Sequence, residues 1–131
     1  EHQLNEEYFD EDIYDFKEKR VNSFPSLIKN INDHKMQNIV PIISDAYNLS
    51  SKWSAKLGML FIDGGHSLES AMSDYNSWES KILCSGALVI HDIYEKPEDG
   101  GQAPFEVYKK ALENNYKLYE RVDTIVCLIK G

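Results

Sequence analysis

The stretch Met59 to Trp78, MLFIDGGHSLESAMSDYNSW, constrains this chain more than any other. An uncharged apolar run from Leu57 to Ile62 stops at Asp63, passes Gly64 and Gly65, reaches His66 and turns helical. Such a run, with no polar alternation, is the pattern of a central strand buried on both faces. Ser67 can cap the helix, whose apolar positions Leu68, Ala71, Met72, Tyr75, Trp78 and Ile82 recur at three- and four-residue steps. After the turn Cys84-Ser85-Gly86 comes a second apolar strand, Ala87 to Ile93, carrying His91-Asp92. If the crossover helix joins them as parallel neighbours, their ends lie about 4.8 Å apart and can converge on one ion or substrate group.

The flanking sequence extends this unit. Residues 6–31 read as mostly helical through Tyr8, Phe9, Ile13 and Phe16, with a break at Phe24-Pro25 and a short helix from Ser26 to Ile31. Asn38 to Ser44, NIVPIIS, reads as a strand that Pro41 confines to a sheet edge or a bulge. Glu95 to Gln102 is a polar loop, and Phe105 to Asn114 an amphipathic helix. Tyr116 to Val122 and Thr124 to Ile129 can pair antiparallel around Asp123. The order predicts a single α/β domain with a Rossmann-like, largely parallel sheet and flanking helices. Residues 1–37 form its helical lead-in and 38–131 its sheet and helices.

Charge narrows the partners. The 131 residues carry 14 Lys and Arg against 22 Asp and Glu, a net charge of −8, with no basic patch for a nucleic-acid backbone. The segment Glu1 to Arg20 holds much of the acidity and reads as a solvated acidic helix. No apolar run approaches membrane-spanning length, so no membrane partner is expected. Two cysteines without metal-ligand spacing, Cys84 and Cys127, fit a reduced, cytoplasmic setting. No glycine-rich dinucleotide turn, P-loop, nucleophile elbow or H-E-x-x-H motif is present.

Ligands of open parallel sheets bind beyond the carboxyl ends of the strands. Three polar clusters stand at such ends: Ser44-Asp45, Asp63-Gly64-Gly65-His66 and His91-Asp92. Each has a structural reading beside the functional one. Asp63 can cap the next helix, the glycine pair can serve a turn with positive φ, and His66 can be a turn residue or a base. His91 can bond backbone at the strand end, whereas Asp92 reads as functional. Asp74, His2 and His34 read as surface residues, and Trp53, Tyr75 and Trp78 as packing.

The span from Asp45 to Asp92 resembles class I S-adenosylmethionine-dependent methyltransferases, in particular methyltransferase family 24. The carrying motifs are Ser-Asp-Ala at 44–46, LFIDGGHSLESAMSDYNSW, and ILCSGALVIHDI. They match that group's IDG-x-H-S/T-Y-E segment, a D-x-x-x-W on the next helix, a glycine turn and a strand ending in His-Asp. Leu68 replaces the usual Tyr, and Cys84-Ser85-Gly86 replaces a Pro-Gly-Gly type turn. Glu1-His2 and the acidic segment behind it resemble the stretch after the second strand of relatives. The resemblance implies that the glycine-rich loop and the first two strands precede Glu1, leaving NIVPIIS as the third strand in the order 3-2-1-4-5-7-6.

Carried over, the resemblance implies S-adenosylmethionine as cofactor, faced by Asp45 and Ala46 at the adenine amino group and by Asp63 and Gly64 near the transferred methyl. Asp63, His91 and Asp92 stand where metal-dependent sugar O-methyltransferases place acidic ligands, implying Mg²⁺ or another divalent cation. His91 departs from an Asp-Asp pair, and Gly65 stands where some relatives carry a catalytic Asp, so His66 becomes the candidate base beside Asp63. The expected reaction is O-methyl transfer to a small hydroxylated or sugar-like acceptor. The alternatives are a non-catalytic, partner-binding remnant of the fold, or a metal-dependent hydrolase or hydroxylase on the same carboxylates. An exposed sheet edge is expected to favour a homo-oligomer, and the isolated chain to bind cofactor weakly or not at all.

Overall fold

The computed structural model describes residues 14–65 and 67–131. The chain divides into two compact units, Glu1–Ile43 and Ser44–Gly131. In the first, β1 (Tyr14–Asp15) and β2 (Arg20–Val21) form a small antiparallel hairpin, with Tyr14 opposite Val21. This corrects the helical reading of the segment, whose residues 6–13 lie outside the described ones. The cause is local: the Asp15 carboxylate accepts from the backbone N–H of Lys17 and Glu18, both at 3.0 Å, and so competes with helical bonding. Lys19 then reverses the chain at φ 51°.

The helix α1 (Phe24–Asp33) starts at the Phe24-Pro25 pair instead of breaking there. A proline in the first turn gives up an N–H that has no helical acceptor anyway. Beyond α1, residues 38–43 join no sheet. The strand expected over NIVPIIS does not form: Pro41 lacks a donor, and no partner strand meets the segment among the described residues.

The second unit holds α2 (Ala46–Lys52), β3 (Leu57–Ile62), α3 (Leu68–Trp78), β4 (Ile82–Ile90), α4 (Ala103–Glu113), β5 (Tyr116–Val122) and β6 (Ile125–Lys130). The four long strands are ordered β3-β4-β6-β5. β3 and β4 run parallel, and β6 runs antiparallel to both β4 and β5. The closing pair around Asp123 is therefore antiparallel, as its sequence suggested. This is a mixed four-stranded α/β sheet with flanking helices.

One apolar layer holds the unit together. α3 buries Ala71, Tyr75 and Trp78, and α4 buries Ala103, Val107 and Ala111, each set at helical spacing. All but Trp78 meet Ile62, Leu88, Ile90, Val126 and Leu128 from three strands. The Ser67 hydroxyl accepts from the Ser70 N–H at 3.1 Å and caps α3 as expected. At the far end of the sheet, Lys130 pairs with Glu79 at 2.7 Å and fixes the last strand to the end of α3.

Two strand readings change. β3 is an edge strand, and Met59 and Phe61 stay 62% and 49% exposed, so only its Leu60 and Ile62 side faces the core. An uncharged run cannot by itself separate a doubly covered strand from one covered on a single face. β4 begins at Ile82 rather than Ala87, because Cys84-Ser85-Gly86 lies within it as a bulge: Leu57 pairs with Ile82, but Met59 pairs with Ala87. Ser85 takes φ 63° there, and a Cβ on Gly86 would lie 2.8 Å from Ile82 Cγ2 and 2.9 Å from the Leu83 carbonyl. The strand ends at Ile90, leaving His91 and Asp92 at its rim rather than within it.

Candidate functional site

The register places the two strand ends side by side. Ile62 pairs with Ile90, and the His91 N–H donates to the Ile62 carbonyl at 3.1 Å. The next residues leave the sheet together. His91 Nδ1 lies 3.0 Å from Asp63 Oδ1 and 3.5 Å from Asp92 Oδ1. Asp92 adopts φ 59°, a left-handed conformation uncommon outside glycine, which turns the chain immediately after His91. One ligand atom from each of Asp63, His91 and Asp92 lies within 4.8 Å of the others. The side chains are 51%, 34% and 25% exposed, so a solute can reach them.

Two carboxylates and an imidazole at this spacing suit a divalent cation, with open positions left for other ligands. His91 bonds a carboxylate rather than the backbone. His66 lies outside the described residues.

The glycine pair has a reason other than a left-handed turn, since no described glycine takes positive φ. A Cβ on Gly64 would sit 2.8 Å from Asp74 Oδ2, and one on Gly65 would run into Ser70 Oγ. The strand-end loop packs closely on α3, and a side chain at either position would first have to displace that of Asp74 or Ser70.

A cavity of about 290 Å³ opens on the other side of Asp63, lined by Ala46, Leu49, Phe61, Asp63, Asp74 and Trp78 among others. A niche of about 10 Å³ lies beneath His91 and Asp92. Asp63 and Gly64 line both spaces. Helix α2, which the sequence reading missed, supplies one wall: the Trp78 indole N–H donates to the Ala46 carbonyl at 3.0 Å, and Trp53 packs edge-on against Trp78 at 5.6 Å. Asp45 is the N-cap of that helix. Its carboxylate accepts from the Asn48 N–H at 2.7 Å and from the Asn48 side-chain amide. These bonds hold its carboxyl below the usual carboxylate range, the Asn48 backbone N–H first.

Asp74, read from sequence as a surface residue, is on the cavity wall. The signal was present in D-x-x-x-W, which sets Asp74 and Trp78 four residues apart on one helix face. Burial pushes the Asp74 carboxyl above its usual range. A raised acid costs the fold nothing while protonated, below its unfolded pKa, and destabilises it as pH rises through the folded value. Asp74→Asn removes that penalty. The variant should unfold at higher urea than the parent at pH 7 and at the same urea near pH 3; equal midpoints at pH 7 would show that the carboxylate carries no burial cost.

Residues 3–93 match a family profile described as a methyltransferase domain, that of family 24. The chain belongs to this methyltransferase family. Two solved structures show the same fold. One is a candidate caffeoyl-CoA O-methyltransferase of Staphylococcus aureus, with TM-score 0.59 and 14% identity over 79% of this chain. The other is a candidate methyltransferase of Streptococcus mutans in complex with SAH, with TM-score 0.57 and 11% identity over 82% of this chain. The methyltransferase domain seen here spans 57% of the staphylococcal chain and 72% of the streptococcal one. None of its described helices is long and apolar enough to cross a membrane.

Proposed function

We propose that this domain takes part in methyl transfer from S-adenosylmethionine to a hydroxyl oxygen of a small, polyhydroxylated acceptor. The observation that carries this reading is the position of Asp63, shared between the 290 Å³ cavity and the His91–Asp92 cluster. A donor held in the cavity would present its reactive end beside Asp63, and an acceptor hydroxyl held by the cluster would meet it there. The structure of the streptococcal protein with SAH supports the choice of donor.

Transfer breaks the bond from sulfur to methyl as the bond from oxygen to methyl forms, and the hydroxyl proton must leave. With Nδ1–H donating to Asp63, His91 Nε2 keeps its lone pair and can take that proton. Asp63 holds the imidazole in this tautomer and steadies the positive charge that develops on it. Asp92 orients the hydroxyl from the far side. In the alternative in which Asp63, His91 and Asp92 hold a divalent cation, the free nitrogen of His91 would be a ligand and not the base, and the cation would supply Lewis acidity to a bound hydroxyl. Because the sulfonium is already an activated methyl donor, most of the rate comes from holding the two reactants in line.

Calorimetric titration of the full-length natural protein with S-adenosylmethionine, with and without Mg²⁺, tests the donor. Saturable binding is expected, and no heat at millimolar donor overturns the reading. His66→Ala and His91→Ala, compared in methyl-transfer assays, assign the proton acceptor: the larger loss is expected for His91.

A further inference from the structure

A left-handed residue other than glycine persists only where its surroundings hold it, and Asp92 is such a residue, at φ 59°. The residue after it is pinned on both sides. The Ile93 N–H donates to the Thr124 carbonyl at 2.9 Å, its side chain is buried, and its carbonyl accepts from Arg121 Nη2 at 3.4 Å. Arg121 belongs to β5, not to the strands that carry the site. Its guanidinium serves two more acceptors at the same end of the sheet: Nε donates to the Asp123 carbonyl at 3.1 Å, and Nη1 to Glu95 Oε1 at 2.6 Å.

We propose that Arg121 is a positioning residue of the methyl-transfer site, fixing the backbone that aims the Asp92 carboxylate at the acceptor. The inference rests on the role given to Asp92 above. β4 ends at Ile90, so the direction of the Asp92 side chain depends on its own turn and on the peptide that follows. His91 is tied to β3, through its N–H to Ile62 and its ring to Asp63. Asp92 is tied from the other edge of the sheet, through Ile93, by Arg121 and the turn between β5 and β6. The two halves of the pair are thus held from opposite sides.

The same guanidinium anchors the segment that leaves the site. Glu95 opens the polar loop and Gln102 closes it, the Gln102 amide donating to the Tyr94 carbonyl at 3.0 Å and the Gly100 carbonyl at 3.1 Å. Pro104, just beyond, lines the niche beneath His91 and Asp92. The ion pair with Glu95 is not what distinguishes Arg121: both partners are more than a third exposed, and such a pair contributes little. The bond to the Ile93 carbonyl does. A guanidinium reaches it together with the other two acceptors because its donors form a rigid fork, whereas lysine offers one compact ammonium.

The test is methyl transfer to small polyols and catechols by the full-length natural protein, with donor affinity measured separately by calorimetry. Arg121→Ala is expected to lower kcat roughly tenfold, since a slight misplacement of a positioned group suffices for that. Its affinity for S-adenosylmethionine and its urea midpoint should stay close to the parent's. Arg121→Lys should fall between the two. Glu95→Gln keeps the grip on Ile93 and should stay within about twofold of the parent. The amide resonances of Asp92 and Ile93 should move in both Arg121 variants and less in Glu95→Gln. Arg121→Ala with more than half of the parent's kcat overturns the assignment. So does a loss of rate matched by an equal loss of donor affinity, which marks a merely structural role. If the parent methylates no acceptor, the reading above fails, and unmoved Asp92 and Ile93 amides in Arg121→Ala overturn this one separately. Should Arg121→Ala not fold, Arg121→Lys decides: the parent's kcat in that variant overturns positioning.

Discussion

Asp63→Ala is expected to lower methyl transfer by roughly 10²- to 10⁴-fold while leaving the fold intact. The carboxylate is half exposed at the rim of β3 and supports no core contact, so its loss should cost little stability. It bonds His91 Nδ1 at 3.0 Å, and nothing else in the cluster can fix that imidazole so directly. Without it the ring loses its preferred tautomer and the cluster loses one of its three ligand groups. Asp63→Asn keeps the shape and removes the charge. It should fall nearly as far, because an amide neither steadies an imidazolium nor holds a cation well. The measurement is production of S-adenosylhomocysteine by the full-length natural protein with a panel of small polyols and catechols. A variant retaining more than half of the parent rate would remove Asp63 from the reaction. The imidazole nitrogen resonances of His91 give a second readout, which should shift in both variants.

The largest effect on stability is expected at Leu128. Its side chain is fully buried, pairs with Leu88 across the β4–β6 ladder, and belongs to the layer between α3, α4 and the sheet. Leu128→Ala should cost about 2–5 kcal/mol, combining lost transfer energy with a cavity that packed helices cannot close. That is a large part of the stability of a domain this size. Met59→Ala, on a side chain 62% exposed, should change stability by less than about 0.5 kcal/mol. Urea unfolding of the three proteins measures both differences. Equal losses for the two variants would mean that the core lies elsewhere than this layer.

Much of the fold was legible because its signals are local. The helical period from Leu68 to Trp78, the cap at Ser67 and the closing pair around Asp123 all appear where the sequence placed them. Apolar periodicity needs only near neighbours to act. The failures share a different cause. Whether NIVPIIS becomes a strand, and whether LGMLFI is covered on one face or two, depends on partners that a run of apolar residues does not name. The hairpin at Tyr14–Val21 was hidden because one side chain, Asp15, overrides a weak helical pattern.

The site was legible to the same degree. The βαβ spacing sufficed to bring Asp63 and His91-Asp92 together, since parallel neighbours must align their carboxyl ends. What spacing could not show is where each side chain spends its hydrogen bonds. Asp45 looked like a free strand-end acid, yet it caps a helix that its own neighbour Asn48 helps to hold. Asp74 looked like a solvated helix residue, yet α2 and the glycine pair wall it into a cavity. The deciding contact is local for Asp45, within its own helix, and for Asp74 it comes from neighbouring elements.

The central claim is that the β3 end joins a donor cavity to an acceptor cluster. Amide chemical-shift mapping during titration of the full-length natural protein with S-adenosylhomocysteine tests it most directly. The largest shifts are expected at Ala46, Asp63, Gly64 and Asp74, with smaller ones at His91 and Asp92. Shifts confined to the groove between α3 and α4, at Leu68, Met72 and Lys109, would contradict it.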